Sequence, residues 1–417
     1  MNNCHLFEMQ GLYGSYSVPE SVLQYIWFNG DFNHSCLRTQ SGKTVFVLNP
    51  GRWNYNEGPD FLEAVLKIDE TILVGSVEIH FEPMEWFHHK HHENPFFDSV
   101  ILHVVLIQKN REDEAMHRPY FLNSTQGLET LTLLPYLNMD LESYAIEQAL
   151  LTFEKKNVFD FKYLTENLSE SERIELLYSE AKVRFHRKVK FAKKRLEHSS
   201  WNEVCHVMLL EVLGYSRNRL AMSNIGLQYS LANWHPSVEV LYQSQKEDWK
   251  LAGIRPANQP RHRLGQYTSL LKKEPNWPKE IIKQIKLFED FDSKDLICGH
   301  RRSQKIQRIK KIFQSDIFHN FVGETRFHTI MIDAILPLIE AEKLIDTEAL
   351  WLNWWVGDKP HSSASYLNHL LPKPARSPNR NAFIQGIYGL LIKQFSRITE
   401  IPNEHSQRDA SKVRFHQ

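Results

Sequence analysis

Little in this chain is extreme, and its shortages narrow the field first. Only four Cys occur among 417 residues (Cys4, Cys36, Cys205 and Cys298), widely spaced and with no C-x-x-C pair. That argues against a disulfide framework, a cysteine zinc knuckle or a redox dithiol, and sparse thiols suit a reducing cytoplasm. The longest uncharged apolar run, near Val100–Ile107, falls far short of the ~20 residues of a membrane helix. The opening MNNCHLFEMQ has neither the basic nor the apolar region of a secretory signal. Neither sign of charge is in excess, with 50 Lys+Arg against 50 Asp+Glu, so any polyanion-binding surface must arise by local segregation. A Walker A loop, G-x-G-x-x-G after a strand, G-x-S-x-G and H-E-x-x-H are all missing, which removes the commonest nucleotide, serine-hydrolase and zincin signatures. The expectation is a soluble, cytoplasmic protein without a membrane partner.

What is present is an ordinary globular composition, 42% apolar and 24% charged, with a heavy load of 21 His and 10 Trp. The length favours two or three domains. Over the first 125 residues the hydrophobic period switches repeatedly. Pro19 precedes ESVLQYIW, where Val22, Leu23, Ile26 and Trp27 share a helical face. TVFVL (44–48), FLEAVLKI (61–68), ILVGSVEIHF (72–81) and SVILHVVLI (99–107) read as strands, the middle two forming a hairpin about Asp69-Glu70-Thr71. Pro83–His89 reads as a short helix, so the predicted order is α-β-β-β-α-β. From 126 to 402 long 3.6-period segments take over, among them LESYAIEQALLTF, ERIELLYSEAKVRFHRKVKFAKKRLEH, NEVCHVMLLEVLGY, EIIKQIKLFEDF, HTIMIDAILPLIEAEKL and NAFIQGIYGLLIKQF. The predicted architecture is an α/β domain over 1–125, a mostly α-helical domain over 126–402 and a disordered tail over 403–417.

Chemistry concentrates between residues 50 and 105. Pro59-Asp60 opens one predicted strand, and Glu78-x-His80 lies on the next. Residues i and i+2 of a strand project to one face, so Glu78 and His80 stand side by side. If Asp60 lies at the mouth of the preceding arm, its carboxylate converges on Glu78 in an oxygen-rich pocket suited to Mg²⁺ or Mn²⁺. Such an ion acidifies water and stabilises charge on a phosphodiester. A carboxylate between Val77 and Ile79 in a buried strand needs a partner or a metal in any case, whereas Asp60 alone would be unremarkable as a turn residue after Gly58-Pro59. In the run His88-His89-Lys90-His91-His92, His89 and His91 are candidates to join His80 at a transition-metal site or to contact phosphate; His88 and His92 read as solvated loop residues. His103, within SVILHVV, is a hydrogen-bonded core histidine or a support for the site.

Two basic stripes follow. EAKVRFHRKVKFAKKR (180–195) carries eight Lys/Arg against one Glu, and HRRSQKIQRIKK (300–311) carries six with no acid. Such stripes neutralise nucleic-acid phosphates or simply solvate a helix. Arg184, Arg187 and Lys188, with Arg255 and Arg263 of the Pro-rich junction, are the candidate nucleic-acid contacts. Trp351, Trp354 and Trp355 read as core or as an aromatic interface.

The PD dipeptide followed by E-x-H in an α-β-β-β-α-β core resembles the PD-(D/E)XK nuclease superfamily, with His80 where Lys is usual. The resemblance implies a divalent-metal-dependent phosphodiester hydrolase in which Asp60 and Glu78 hold Mg²⁺ or Mn²⁺, Glu20 of the first helix adds a further acid, and His80 positions or deprotonates water. Across most of its length the chain is also similar to the family called domain of unknown function 2851. The matching residues are Leu23-Gln24-x-Ile26-Trp27, Pro50-Gly51-x-x-Asn54, Gly58-Pro59-Asp60-Phe61, Gly75-Ser76-Val77-Glu78-Ile79-His80, Trp86-x-x-His89-x-His91, Val100-Ile101-Leu102-His103-Val104-Val105, Arg255-Pro256-Ala257-Asn258-x-Pro260-x-x-Arg263 and Gln385-Gly386. Glu85 stands where that family usually has Asp before the Trp. Two alternatives remain open: an inactive nucleic-acid-binding scaffold that keeps the nuclease shell, and a histidine-rich transition-metal enzyme.

Overall fold

The computed structural model describes residues 18–107, 128–156, 167–285, 304–358 and 380–400. Two compact units divide it, one gathering Val18–Leu141 and the other Glu142–Lys393.

The first unit opens with α1 (Ser21–Asn29), whose Val22, Leu23, Ile26 and Trp27 are all buried, as their helical spacing requires. Gly30 ends it in the left-handed conformation at φ 67°, a geometry that favours glycine. A sheet follows, built from β1 (Val45–Asn49), β2 (Arg52–Trp53), β3 (Phe61–Ile68), β4 (Thr71–His80), β5 (Val100–Val105) and β6 (Glu129–Thr132). Its order is β1-β3-β4-β5-β6, with β2 also on β3. The β1–β3 and β3–β4 pairs are antiparallel; β4–β5 and β5–β6 are parallel. The sheet is therefore mixed. The β3–β4 hairpin closes on Asp69-Glu70, one residue tighter than expected, with Asp69 at φ 50°.

β4 is the strand that matters. Its outer half is largely exposed, while Ser76 to His80 are all buried, because only that inner half has neighbours on both sides. The expected alternation does not separate a wet face from a dry one there: Glu78 is 5% exposed and His80 1%. Gly75 is required by close approach, since a Cβ on it would meet Ile101 Cγ2 at 2.5 Å and the Ser99 carbonyl at 2.6 Å. The unit runs past residue 125, because β6 adds to β5 and Leu131 and Leu133 join the core.

The second unit is helical. It includes most of α3 (Leu141–Lys156), then α4 (Glu170–His198), α5 (Trp201–Leu213), α6 (Tyr215–Gln228), α7 (Val238–Gln243), α8 (Pro260–Lys273), α9 (Trp277–Ile285), α10 (Gln304–Lys311), α11 (Glu324–Ile330), α12 (Leu336–Ala341) and α13 (Glu348–Asn353), and much of α14 (Asn381–Glu400). Ser169 and Glu172 cap α4 reciprocally. The segment read as one helix over 328–344 is broken by a π-helical turn at Met331–Ile335 before Pro337, which sits in the first turn of α12; proline cannot continue the i→i−4 ladder. Trp351 and Trp354 are fully buried, as expected. Among the described residues no helix is long and apolar enough to cross a membrane. The tail at 403–417 and residues 300–303 of the second basic run lie outside the described residues, and the rest of that run forms α10.

Candidate metal centre

Three local features bring the first acid to β4. Asn54 clamps the Gly58-Pro59-Asp60 corner, donating to the Glu57 and Pro59 carbonyls at 3.2 and 2.9 Å while its own N–H donates to the Asp60 carbonyl at 2.7 Å. A β-bulge follows: Phe61 faces Val77 but Ala64 already faces Gly75, and the extra residue is absorbed at Glu63, φ 60°. Asp60 is thereby set against the end of β4. Its backbone N–H donates to Glu78 Oε2 at 2.9 Å, and its own carboxylate accepts from the Ile79 N–H at 2.9 Å and from Gln24 Nε2 of α1 at 2.8 Å.

Two further acids close in. Glu20 immediately precedes α1, and Glu85 opens α2 (Glu85–His88). Glu85 accepts from the Phe81 and Glu82 N–H groups at 2.9 and 3.0 Å, holding the end of β4. Burial and the Asp60, Glu85 and Glu78 carboxylates push the Glu20 carboxyl up to about 9. Burial likewise raises Glu78, and burial with the neighbouring Glu78 charge raises Asp60 well above the carboxylate range. Among the described residues no Lys or Arg is paired with any of these three acids. Without such a partner, burial keeps these acids protonated at neutral pH.

The imidazoles arrive from β4, from the turn after α2 and from β5. His80 sits between two others: His80 Nδ1 is 2.9 Å from His103 Nε2, and His80 Nε2 is 3.2 Å from His89 Nδ1. His103 is the register partner of Glu78 across the parallel β4–β5 pair, which is why a histidine in the next strand reaches the site. Lys90, at φ 58° and ψ 31°, reverses the chain between His89 and the single 3₁₀ turn at His91–Glu93, so both His89 and His91 point back to His80. His91 stacks on Phe97 with ring centroids 3.8 Å apart, and its Nε2 lies 3.2 Å from Glu78 Oε1. His80 Nε2 is 3.5 Å from the same oxygen. Burial pushes His80 down to about 2 and His103 to about 3, and lowers His91. These rings are neutral, with lone pairs available.

The donor atoms fit a metal ion. One nitrogen from each of His80, His89 and His91 falls within 4.8 Å of the others. His80 Nε2 and His89 Nδ1 stand 3.2 Å apart, close to the edge, about 3.3 Å, of a tetrahedral site with ligands ~2.0–2.1 Å from its centre, and Glu78 Oε1 lies beside the group, 3.2 and 3.5 Å from His91 and His80. His91 Nε2 is a buried nitrogen without a hydrogen-bond partner among the described residues. With the facing nitrogens of His80 and His89 both used as lone pairs, His80 must carry its proton on Nδ1 and donate it to His103, the support that orients a ligand imidazole. Three nitrogens and one oxygen suit Zn²⁺ or a neighbouring transition ion better than Mg²⁺.

Seven sequence-predicted residues therefore gather: Glu20, Asp60, Glu78, His80, His89, His91 and His103. Gln24 and Glu85 also belong, and nothing in their local pattern announced it. His88 is exposed, as expected. The predicted phosphate contacts differ. Arg184 is 4% exposed, paired with Glu142 and donating to Gln385 Oε1 at 2.8 Å. Lys188 is 5% exposed and 2.8 Å from Asp333, and Arg187 is half-buried with its acidity raised by burial. The α4 stripe as read from sequence is corrected: its apolar face at Phe185 and Ala192 is real, but Arg184, Lys188 and Arg195 share that buried face through acids supplied by other helices. Arg263 is buried as well, and Arg255 is exposed.

A family model described as Protein of unknown function (DUF2851) matches residues 20–237, a span that begins at Glu20 and takes in the whole histidine–carboxylate cluster. No curated protein and no solved structure matches the chain.

Proposed function

The chain belongs to the DUF2851 family, and from that premise we propose that it is a metal-dependent hydrolase of phosphodiesters, with a transition ion held by Glu78, His80, His89 and His91. The observation that carries this reading is the cluster of His80, His89 and His91 nitrogens within 4.8 Å of one another, with Glu78 Oε1 beside them and further acids close by. Bound there, the ion would lower the pKa of water and offset charge on a reacting phosphate. The chain's own residues do the rest. Asp60, fixed by Gln24 and the Ile79 N–H and raised by burial, would take the proton of the attacking water once the charge of a bound ion has ionised it. Glu20, protonated to about pH 9, returns a proton to the leaving oxygen. His103 holds His80 in the ligating tautomer. The phosphodiester class rests on the resemblance of the strand order and the PD…E-x-H pattern to the PD-(D/E)XK nuclease superfamily, from which His80 departs, and DNA and RNA are both candidate substrates. His80 serves as a ligand in this reading, where the superfamily's Lys serves as a cation.

The test is metal content together with cleavage. Purified protein retains close to one equivalent of Zn²⁺, Mn²⁺, Fe²⁺ or Ni²⁺ and hydrolyses bis(p-nitrophenyl) phosphate or a nucleic acid. Glu78→Gln and His89→Ala lose the ion, and the rate falls by about a thousandfold, the several kcal/mol such an ion contributes. His89 is exposed, so its loss leaves the fold intact. Full activity in both variants, or in protein stripped of metal, overturns the proposal.

A further inference from the structure

A second constellation lies in the helical unit and shares nothing with the metal centre. Tyr215 opens α6 at φ 59°, a backbone strain that an aromatic residue adopts only when its surroundings enforce it. Gly214 before it has no room for a Cβ, which would fall 2.3 Å from the Asn218 carbonyl. The guanidinium of Arg326 lies over the Tyr215 ring, 4.3 Å from its centroid. Arg326, Arg263, Arg255 and Asp358 all act electrostatically on the Tyr215 phenol, so three guanidiniums and one carboxylate converge there.

The charges do not balance. Arg326 is 4% exposed and Arg263 6%. They share Asn258 Oδ1, at 3.5 and 2.6 Å, and Arg326 alone reaches Asp358, at 3.2 Å. Arg326 also donates to the Val212 carbonyl at 3.0 Å, and Arg263 to Gln266 Oε1 at 2.9 Å. The Nε–H of each guanidinium is buried with no acceptor among the described residues. Elsewhere in this unit buried cations each have a carboxylate against them, as in Arg184–Glu142, Lys188–Asp333 and Arg195–Glu211. Burying like charges with unfilled donors is costly, and burial with repulsion from Arg326 pushes Arg263 down to about 10.

We propose that Arg263 and Arg326, with Arg255 at the exposed rim and the Tyr215 hydroxyl beside them, form a binding site for a phosphate-class oxyanion. Forked guanidiniums match phosphate oxygens bidentately, and Nε–H is one tine of that fork. The phosphate belongs either to a small phosphorylated molecule or to a nucleic-acid backbone, which present the same chemistry.

The experiment uses full-length Glu78→Gln protein in chelator, so that no ion in the sheet unit holds phosphate. Inorganic phosphate, compared with chloride at equal ionic strength, is expected to raise Tm by about 5 °C or more at a hundred times its Kd. The exposed-site change Arg255→Ala weakens phosphate binding at least tenfold with an unchanged Tm in chloride. Arg263→Gln abolishes the phosphate shift and melts in chloride no lower than its parent, because a buried unbalanced charge has gone. Absence of a phosphate-specific shift in the parent, or equal shifts in Arg255→Ala and Arg263→Gln, overturns the site. Competition by single-stranded oligonucleotides that strengthens with length and weakens with salt assigns the phosphate to nucleic acid; competition by phosphomonoesters alone assigns it to a small molecule.

Discussion

The two units handle buried charge in opposite ways. In the helical unit Arg184, Lys188 and Arg195 each lie against a carboxylate from another helix. In the sheet unit Glu20, Asp60 and Glu78 crowd together, and their near neighbours of opposite tendency are imidazoles that burial keeps neutral. In the first arrangement each of these cations has a carboxylate of the same unit against it, tying helices together. In the second, burial holds the acids protonated, and the proposed cation would balance them once ionised. A paired interior charge and an unpaired one carry the same desolvation cost, so the pairing, not the burial, separates scaffold from chemistry.

The sharpest way to break this contrast is to remove one carboxylate from each region. Arg195 and Glu211 meet at 2.7 Å with side chains 1% and 3% exposed. Glu211→Ala leaves the guanidinium uncompensated and is expected to cost about 3–5 kcal/mol in urea unfolding. Glu78→Gln should do the reverse in metal-free protein at pH 8. It removes a carboxylate that burial disfavours, keeps an oxygen for the Asp60 N–H, and so raises Tm while abolishing metal uptake. Equal destabilisation by both changes would make the acid cluster an ordinary structural network.

Next in size is the support behind the cluster. His103 Nε2 lies 2.9 Å from His80 Nδ1. His103→Ala should weaken metal binding by about 10–100-fold, the usual effect of losing a ligand's orienting partner. His103→Gln, whose amide oxygen accepts the same proton, should recover much of it. Failure of Gln to outperform Ala in a metal titration would assign His103 to packing alone.

A smaller and graded effect is expected from pH. The Glu20 carboxyl is raised from 4.5 to about 9, and Asp60 and Glu78 are raised too. The folded protein therefore holds protons that the unfolded chain has released, and their contribution is full below 4.5 and lost as pH climbs towards 9. The lowered His80 and His103 act the other way, with stability lost as pH falls below 6.5. From pH 6.5 to about 8 the raised carboxyls dominate, so metal-free protein should melt progressively lower; above that, Lys250, pushed down to about 8 by burial, opposes them. Saturating metal favours the ionised acids and should flatten or reverse that slope. A metal-free Tm that is level across this range would contradict the burial of these acids.

Much of the sheet unit was legible because its signals are local. The four Val-, Ile- and Leu-rich runs became β1, β3, β4 and β5 within a residue or two, and same-face spacing put Glu78 beside His80. β6 was missed because Glu129–Thr132 is short and polar at alternate positions. The stripe on α4 misled for a different reason. Hydrophobic period assigns cations to solvent, yet Glu142, Asp333 and Glu211 come from distant segments that no local pattern connects to α4. Gln24 and Glu85 belong to the same class: their roles depend on partners fixed by the sheet, not on spacing. The long-range half of electrostatics is what periodicity omits.

The smallest expected effect tests the backbone. Lys90 and Tyr215 both occupy the left-handed region, at φ 58° and 59°, one in each unit. For Lys90 the conformation itself is the function, since it turns His89 and His91 back to one point. Lys90→Gly should therefore leave stability within about 1 kcal/mol and metal affinity intact, whereas Lys90→Val, β-branched in that region, should cost about 1–3 kcal/mol and weaken the metal. For Tyr215 the conformation serves the phenol, so Tyr215→Gly relieves the strain and still loses the phosphate response. If glycine is neutral at both positions, the strain at Tyr215 has no bearing on anion binding; if it is harmful to metal uptake at Lys90, the ammonium and not the turn is what that loop supplies.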